Sequence, residues 1–282
     1  MADMKMEAEI IFEPHVPSAL RRALEYAGDD GFVASLPALL HARASASYDN
    51  IIWNTWFTSN TEESVVRTPQ GNHVVVVVHG GGIFANPARF ESVYAHVDRT
   101  SPEGFTGQLA GKISEFEARE ALEGRLLDGT EFPVFPFDEF KQGIKDLPIR
   151  YGVILDFDMA KKGTRDYDTF EVLKEDPNMI VRAGGVEANT TYLDKFRDRH
   201  NTNLMGTFHP YRTIDPDQPQ TRIPFLAGNQ GGTGTEEEDS DLYGYDSDYG
   251  IGGYASMHNM ARYIAVAPRN VATNLRSLDF GS

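Results

Sequence analysis

Two stretches of this chain share one local pattern: a strand-like run, paired glycines, two residues, Ala-Asn and a helical segment. They are VHGGGIFANP at 78–87 and VRAGGVEANT at 181–190. Glycines after a strand let the backbone approach a ligand closely, and a capping Asn leaves helix N–H groups pointing outward. The pattern predicts two strand-to-helix loops that hold an anion, and the alternative is that the glycines only tighten the turns. The predicted ligand-binding residues are Gly80, Gly81, Gly82, Asn86, Arg182, Gly184, Gly185 and Asn189.

Both loops resemble the phosphate-binding loops of the isomerase barrels of histidine and tryptophan biosynthesis. In those barrels a GGGI-type turn and a GGV-type turn hold the two ends of a substrate, and the matching residues here are Gly80 to Ile83 and Gly184 to Val186. The resemblance covers a minor part of the chain, and only one good strand lies between the loops where a barrel needs more. It implies anion contacts at the ends of adjacent strands.

Charge and composition limit the classes of partner. The formal net charge is −16, which argues against nucleic acid or a membrane as partner, because both attract clustered Lys and Arg. The absence of cysteine excludes disulfides, thiolate nucleophiles and Cys-ligated metals. No apolar run has the length of a signal peptide or of a membrane span. We expect a soluble cytoplasmic protein that binds a small anionic ligand and forms a homo-oligomer.

The secondary-structure pattern predicts a mixed α/β fold. Apolar spacing predicts a helix over 17–28, and five consecutive valines before His79 predict a strand buried on both faces. Further strands are expected at 151–157 and 179–183. We predict a single domain over 1–282 with a central, partly parallel sheet, helices on its faces and long irregular insertions at about 97–150 and 200–260. A capping box at Ser114 to Glu117 predicts a helix start within the first insertion.

Asp156 and Asp158 end a hydrophobic strand in the sequence VILDFDMA. Strand alternation places both carboxylates on one face, where they could share Mg²⁺ or act as nucleophile and general acid/base. The string is similar to the first motif of haloacid-dehalogenase-type phosphatases, although Met159 and Ala160 depart from that motif. The alternative is that these acids only present charge to solvent.

His79 stands before three glycines, and the segment is similar to the HGGG oxyanion segment of α/β-hydrolase esterases. The G-x-S-x-G nucleophile elbow of that fold is missing from the sequence. His79 is therefore a candidate catalytic acid/base, with a hydrogen-bonded histidine at a strand end as the alternative.

An acidic, glycine- and tyrosine-rich stretch runs from 231 to 253. Asp239 and Asp241 in it imitate the start of a calcium loop, but Gly250 stands where that loop needs a bidentate Glu. A calcium site and a solvated acidic loop both remain open. The cofactor is not determined by the sequence, and Mg²⁺ and Ca²⁺ are the two candidates.

Two functions follow from these features. The first is an enzyme or binding protein for a phosphorylated or carboxylated metabolite, with the anion in the two glycine loops and the Asp pair as acid/base or Mg²⁺ ligands. The alternative is a self-assembling structural protein, a shell or capsid-like subunit without catalysis, which the irregular central and C-terminal regions favour. Whether the chain is an enzyme stays open at this point.

Overall fold

A computed structural model describes residues 4–95, 110–164, 167–207, 209, 211–212, 214–226 and 261–270. The strands in this part of the chain are β1 (Met4–Glu13), β2 (Phe32–Val33), β3 (Phe57–Thr58), β4 (Thr61–Arg67), β5 (His73–His79), β6 (Ala110–Lys112), β7 (Val134–Pro136), β8 (Tyr151–Asp156), β9 (Tyr167–Thr169), β10 (Leu204–Gly206), β11 (Gln220–Arg222), β12 (Phe225–Leu226) and β13 (Ala261–Asn270). The helices are α1 (Val16–Ala27), α2 (Leu36–Ser45), α3 (Pro87–Ala95), α4 (Glu115–Leu122), α5 (Phe137–Lys141), α6 (Phe157–Lys162), α7 (Phe170–Glu175), α8 (Pro177–Ala183) and α9 (Val186–His200). The predicted mixed α/β class is confirmed.

The central sheet has six strands in the order β6-β11-β4-β5-β8-β7. Its pairs are antiparallel except for β7 and β8, which are parallel. The valine strand β5 lies inside this sheet, with Val74, Val76 and Val78 in one apolar cluster and Val75 and Val77 in another. Burial on both faces is therefore confirmed, and each fully buried valine contributes about 1.5–3 kcal/mol of transfer free energy.

A second sheet, in the order β1-β13-β2, joins the two ends of the described chain. Helix α1 packs on one of its faces through Ala19 and Ala23, which share an apolar cluster with Ile11 and Tyr263. Pro17 stands in the first turn of α1, and the helix is followed by Gly28 with a positive φ of 63°. The predicted helix over 17–28 is confirmed because these start and stop signals are local.

The prediction of a strand at 179–183 is wrong, since these residues belong to helix α8. Asp176 accepts hydrogen bonds from the backbone N–H groups of Asn178 and Met179, and Pro177 follows it at the first helical position. Gly184 then ends the helix in the left-handed conformation. A capped start and a glycine stop outweigh the β-propensity of Ile180 and Val181.

The predicted insertion at 97–150 supplies two strands that the sequence pattern does not reveal. β6 and β7 form the two edges of the central sheet, and each is three residues long. Such short strands carry too little alternation to be recognised. The capping box of α4 is confirmed, with the Ser114 side chain bonded to the backbone of Glu117 and the Glu117 side chain bonded back.

Among the described residues, no helix is long and apolar enough to cross a membrane. The acidic stretch at 231–253, with Asp239 and Asp241, lies outside the described residues.

Candidate functional site

The first glycine loop already contains a carboxylate, which belongs to the protein itself. The Glu62 side chain reaches from β4 into the loop after β5 and accepts hydrogen bonds from the backbone N–H groups of Gly82 (3.1 Å) and Phe84 (2.7 Å). A Cβ atom on Gly82 would lie 2.7 Å from a Glu62 carboxylate oxygen, so any larger residue here would have to displace the Glu62 side chain. The loop has the anion-holding geometry that the sequence suggests, but Glu62 occupies its N–H groups.

The buried surroundings of Glu62 make the ionised form of its side chain energetically unfavourable. The side chain is 3% exposed, and its Oε2 atom has no hydrogen-bond partner among the residues that the structure describes. Burial raises the pKa of Glu62 from 4.5 to about 7, although the N–H groups of Phe84 and Gly82 act in the opposite direction. A carboxyl group that titrates near neutrality therefore holds the loop in place.

The rest of this loop has structural contacts as well. Gly80 and Gly81 have φ values of 81° and 101°, which favour glycine. A Cβ atom at Gly80 would lie 2.3 Å from the backbone oxygen of Ile149. Asn86 caps α3, because its side-chain oxygen accepts hydrogen bonds from two backbone N–H groups in the first turn.

The second glycine loop connects two helices instead of a strand and a helix. The N–H of Gly184 donates to the Val181 carbonyl at 3.1 Å, and the N–H of Gly185 donates to the Ile180 carbonyl at 2.9 Å. These bonds complete the end of α8 in the manner of a glycine C-cap. Asn189 is fully buried, and its amide donates to the Leu173 carbonyl at 2.9 Å.

The ring of His79, next to the first glycine loop, contacts strand β4 and helix α8. The residue is fully buried, with Nε2 3.0 Å from the Val181 carbonyl and Nδ1 3.0 Å from the Thr61 hydroxyl. A carbonyl only accepts, so Nε2 carries the proton and Nδ1 accepts from Thr61 in the neutral ring. Burial lowers the pKa of His79 to about 4, against the opposing effects of the Val181 carbonyl and of Glu63. Both ring nitrogens are thus engaged by the protein.

Arg182 binds a carboxylate of the protein itself, the side chain of Glu63. Its guanidinium donates to both oxygens of Glu63, at 2.7 and 2.9 Å, and the Tyr211 hydroxyl donates to one of them. Burial by itself raises the pKa of Glu63, but the charge of Arg182 and the hydrogen bonds from Arg182 and Tyr211 outweigh it and lower the pKa. Arg182 and Glu63 are 2% and 4% exposed, so the pair is an internal support of the sheet.

The sequence analysis did not select Glu62 and Glu63. The signal that points to them is two adjacent acids in the strand TEESVVR, which pairs with the valine strand. Charged side chains inside a buried sheet need partners, so such a pair indicates an internal polar network.

Asp156 and Asp158 do not occupy one strand face, because the strand ends between them. Asp156 caps α6 by accepting the N–H of Met159 at 2.9 Å, and Asp158 stands in the first turn of that helix. Both line an open cleft of about 830 Å³, together with Asp168, Asp176 and Arg212. Asp176 in this cleft accepts backbone hydrogen bonds from Thr164, Asn178 and Met179. Within the described ranges, no group of three or more His, Asp and Glu side chains is arranged to hold a metal ion.

Comparisons with known proteins show a similarity in structure and none in sequence families. No protein-family model matches the sequence, and no curated protein matches it significantly. A solved structure described as the accommodation of massive sequence variation in Nanoarchaeota by the C-type lectin fold superposes with a TM-score of 0.60. The alignment covers 94% of this chain and 99% of that chain at 23% identity. The two chains share the C-type lectin fold.

This likeness overturns the main functional prediction. The Nanoarchaeota structure is described by the sequence variation that its C-type lectin fold accommodates, and this description names no enzyme of phosphorylated or carboxylated metabolites. The prediction that two glycine loops and an Asp pair act on such a metabolite is therefore wrong. The alternative, a structural protein without catalysis, agrees better with the C-type lectin fold. No bound ligand tests the individual roles predicted for the site residues, which stay predictions.

Proposed function

We propose that this chain is a non-catalytic structural protein in which the C-type lectin fold is a rigid support and residues 227–260 supply contacts with other macromolecules. The observation that carries the proposal is the fold shared over 94% of the chain with a protein described as accommodating massive sequence variation. A cysteine-free chain suits the reducing cytoplasm, which we keep as its proposed location.

The buried polar residues support the proposal that the fold is a rigid support. Glu62, Glu63, His79 and Arg182 are buried, and each is bonded to another group of the protein. Breaking a buried charge pair by removing one partner typically costs about 3–5 kcal/mol, since the remaining charge loses its compensation. Groups bonded in this way act as supports of the fold, and removing one partner of the Arg182–Glu63 pair is expected to destabilise it.

The ends of the connection between β12 and β13 support the proposal that residues 227–260 supply contacts with other macromolecules. Phe225 pairs with Thr58 in the β12–β3 ladder, and the backbone N–H of Arg262 donates to the Thr58 hydroxyl at 3.2 Å. Residues 227–260 therefore connect two neighbouring points of the support. Each doubling in length of such a connection costs only about 0.6 kcal/mol in loop-closure entropy, so we expect changes in the length of this segment to have a small cost. Its acidic residues, without any Lys or Arg, suit contact with basic surfaces.

The direct test replaces residues 227–260 with a Gly/Ser linker of equal length and, separately, with a random library. We expect cooperative urea unfolding within about 1 kcal/mol of the parent protein, because the proposal assigns this segment a role in contacts and not in folding. Randomising residues 61–67 of β4 is the matched control and is expected to abolish folding. A segment replacement that unfolds the protein contradicts the proposal.

Catalysis is tested with chromogenic phosphate and carboxylate esters. We expect the hydrolysis rate with the protein to equal that of buffer alone. Turnover that is present in the parent protein and lost in Asp156→Asn contradicts a non-catalytic role.

A further inference from the structure

Strand β1 lies at the outer edge of its sheet. It pairs with β13 along all ten residues, from Met4 opposite Asn270 to Glu13 opposite Ala261. No residue in the described part of the chain pairs with its other side. An edge strand presents unpaired backbone N–H and C=O groups, which are a template for another strand.

One face of this edge is apolar and exposed. Met6, Ile10 and Phe12 alternate along β1 and are 50%, 41% and 47% exposed. The opposite face is covered near its end by α1, where Ile11 is 3% exposed. The apolar face continues onto β13, because Ile10 lies opposite Ile264.

The far end of this apolar face is held in a fixed position. The guanidinium of Arg262 lies 5.1 Å from the ring centre of Phe12 and 4.7 Å from that of Trp56. The two rings are also in edge-to-face contact, with centroids 6.4 Å apart. An ordered strand with exposed apolar side chains binds at a low entropic cost.

We propose that β1 is a self-association surface, on which β1 of a second copy pairs antiparallel about a two-fold axis at Glu9. The two three-stranded sheets then form one continuous sheet with its apolar faces on the same side. This inference rests on the proposed structural role and adds a partner to it, a second copy of the chain that binds through β1.

The side chains of β1 select this register. With the axis at Glu9, Lys5 lies opposite Glu13 of the second copy, and Met6 lies opposite Phe12 of the second copy. Each of these pairs occurs twice, so charge and apolar surface are complementary at these four positions, and Glu7 lies opposite Ile11 of the second copy. Glu9 opposite itself is the single like-charge contact.

Two other registers of the β1 pair give less favourable side-chain pairs or a shorter ladder. An axis at Ala8 places Glu7 opposite Glu9 of the second copy twice and removes both Lys5–Glu13 pairs. An axis at Glu7 pairs only residues 4–10 within the described part of β1, which gives a shorter ladder there than an axis at Glu9. A single strand pair buries less area than a standard interface of about 1,600 Å² in total, so we expect a weak, concentration-dependent dimer.

The first experiment is sedimentation velocity of the full chain over a wide concentration series. The parent protein is expected to pass from monomer to dimer, and Met6→Lys/Ile10→Lys is expected to stay monomeric with unchanged thermal unfolding. Leu127→Lys, at another exposed apolar residue, is the control and should dimerise like the parent. Glu9→Gln should tighten the dimer a few-fold because it removes the like-charge contact.

The second experiment reads the register from single cysteines, since the chain has none of its own. Cα atoms opposite each other in an antiparallel pair are about 4.5–5.5 Å apart, which is within disulfide range. Glu9→Cys should form a dimer disulfide faster than Ala8→Cys or Glu7→Cys. The Gly/Ser replacement of 227–260 should still dimerise, so failure of the two proposals can be told apart.

Three results overturn the inference. The first is a parent protein that stays monomeric at every concentration. The second is a dimer that survives Met6→Lys/Ile10→Lys. The third is hydrogen exchange that shows protected outer-edge amides of β1 in the dilute monomer, which would mean that the chain covers this edge itself.

Discussion

Replacing Glu62 with Gln tests whether the first glycine loop is held by a carboxyl group with a shifted pKa. The pKa of Glu62 rises from 4.5 to about 7 in the folded protein, mainly through burial. Each pKa unit corresponds to about 1.4 kcal/mol, so the full difference is about 3 kcal/mol. This free energy is the cost of burying the charged form, which the Gln variant does not carry.

The direction in which stability changes with pH follows from the number of protons that the folded and unfolded states bind. Between the two pKa values the folded state binds a proton that the unfolded state has released, so stability falls as pH rises. The contribution of Glu62 is fully present below about pH 4.5 and is lost as pH rises through about 7. The difference in unfolding free energy, Glu62→Gln minus parent, should therefore increase by about 2–3 kcal/mol from about pH 5 to about pH 8.

Urea unfolding followed by circular dichroism at several pH values measures this difference. The Gln side chain keeps an oxygen for the N–H groups of Gly82 and Phe84, and its buried amide adds an offset that does not depend on pH. Glu25→Gln removes one negative charge from an exposed position of α1 and serves as the control. A difference curve for Glu62→Gln as flat as that of the control would refute the reasoning, because the buried carboxyl would then have its ordinary pKa.

Three further results are expected. Arg182→Met should lower the unfolding free energy by about 3–5 kcal/mol in urea titrations, because it leaves the buried Glu63 charge without compensation; a loss below 1 kcal/mol would contradict this. Gly80→Ala should lower the unfolding free energy by more than about 2 kcal/mol, because its Cβ atom would meet the Ile149 carbonyl and its φ is positive. Gly129→Ala is the control, with a similar φ and open space around the Cβ position, and it should cost about 1 kcal/mol. Inorganic phosphate should leave the Tm unchanged beyond its general salt effect, because the loop N–H groups are occupied; a saturable rise that disappears in a Gly82 variant would show that they are free.

Local signals account for the elements that the sequence predicts correctly. The valine run of β5, the amphipathic helix α1 and the capping box of α4 are each specified by residues within one element. The strand predicted at 179–183 fails because its β-forming residues stand between the Asp176 cap and Gly184. Apolar residue types alone did not distinguish a short buried helix from a strand there.

The sequence by itself determined that residues 80–86 form a tight glycine turn whose N–H groups need an acceptor from elsewhere, followed by a capped helix, because these properties depend only on backbone freedom and on the Asn86 side chain. The tertiary structure decided what binds those N–H groups. The pairing of β4 with β5 places Glu62 opposite Val78 and brings its carboxylate to the turn. An external anion and an internal carboxylate satisfy the same donors, and only the register between two strands distinguishes them.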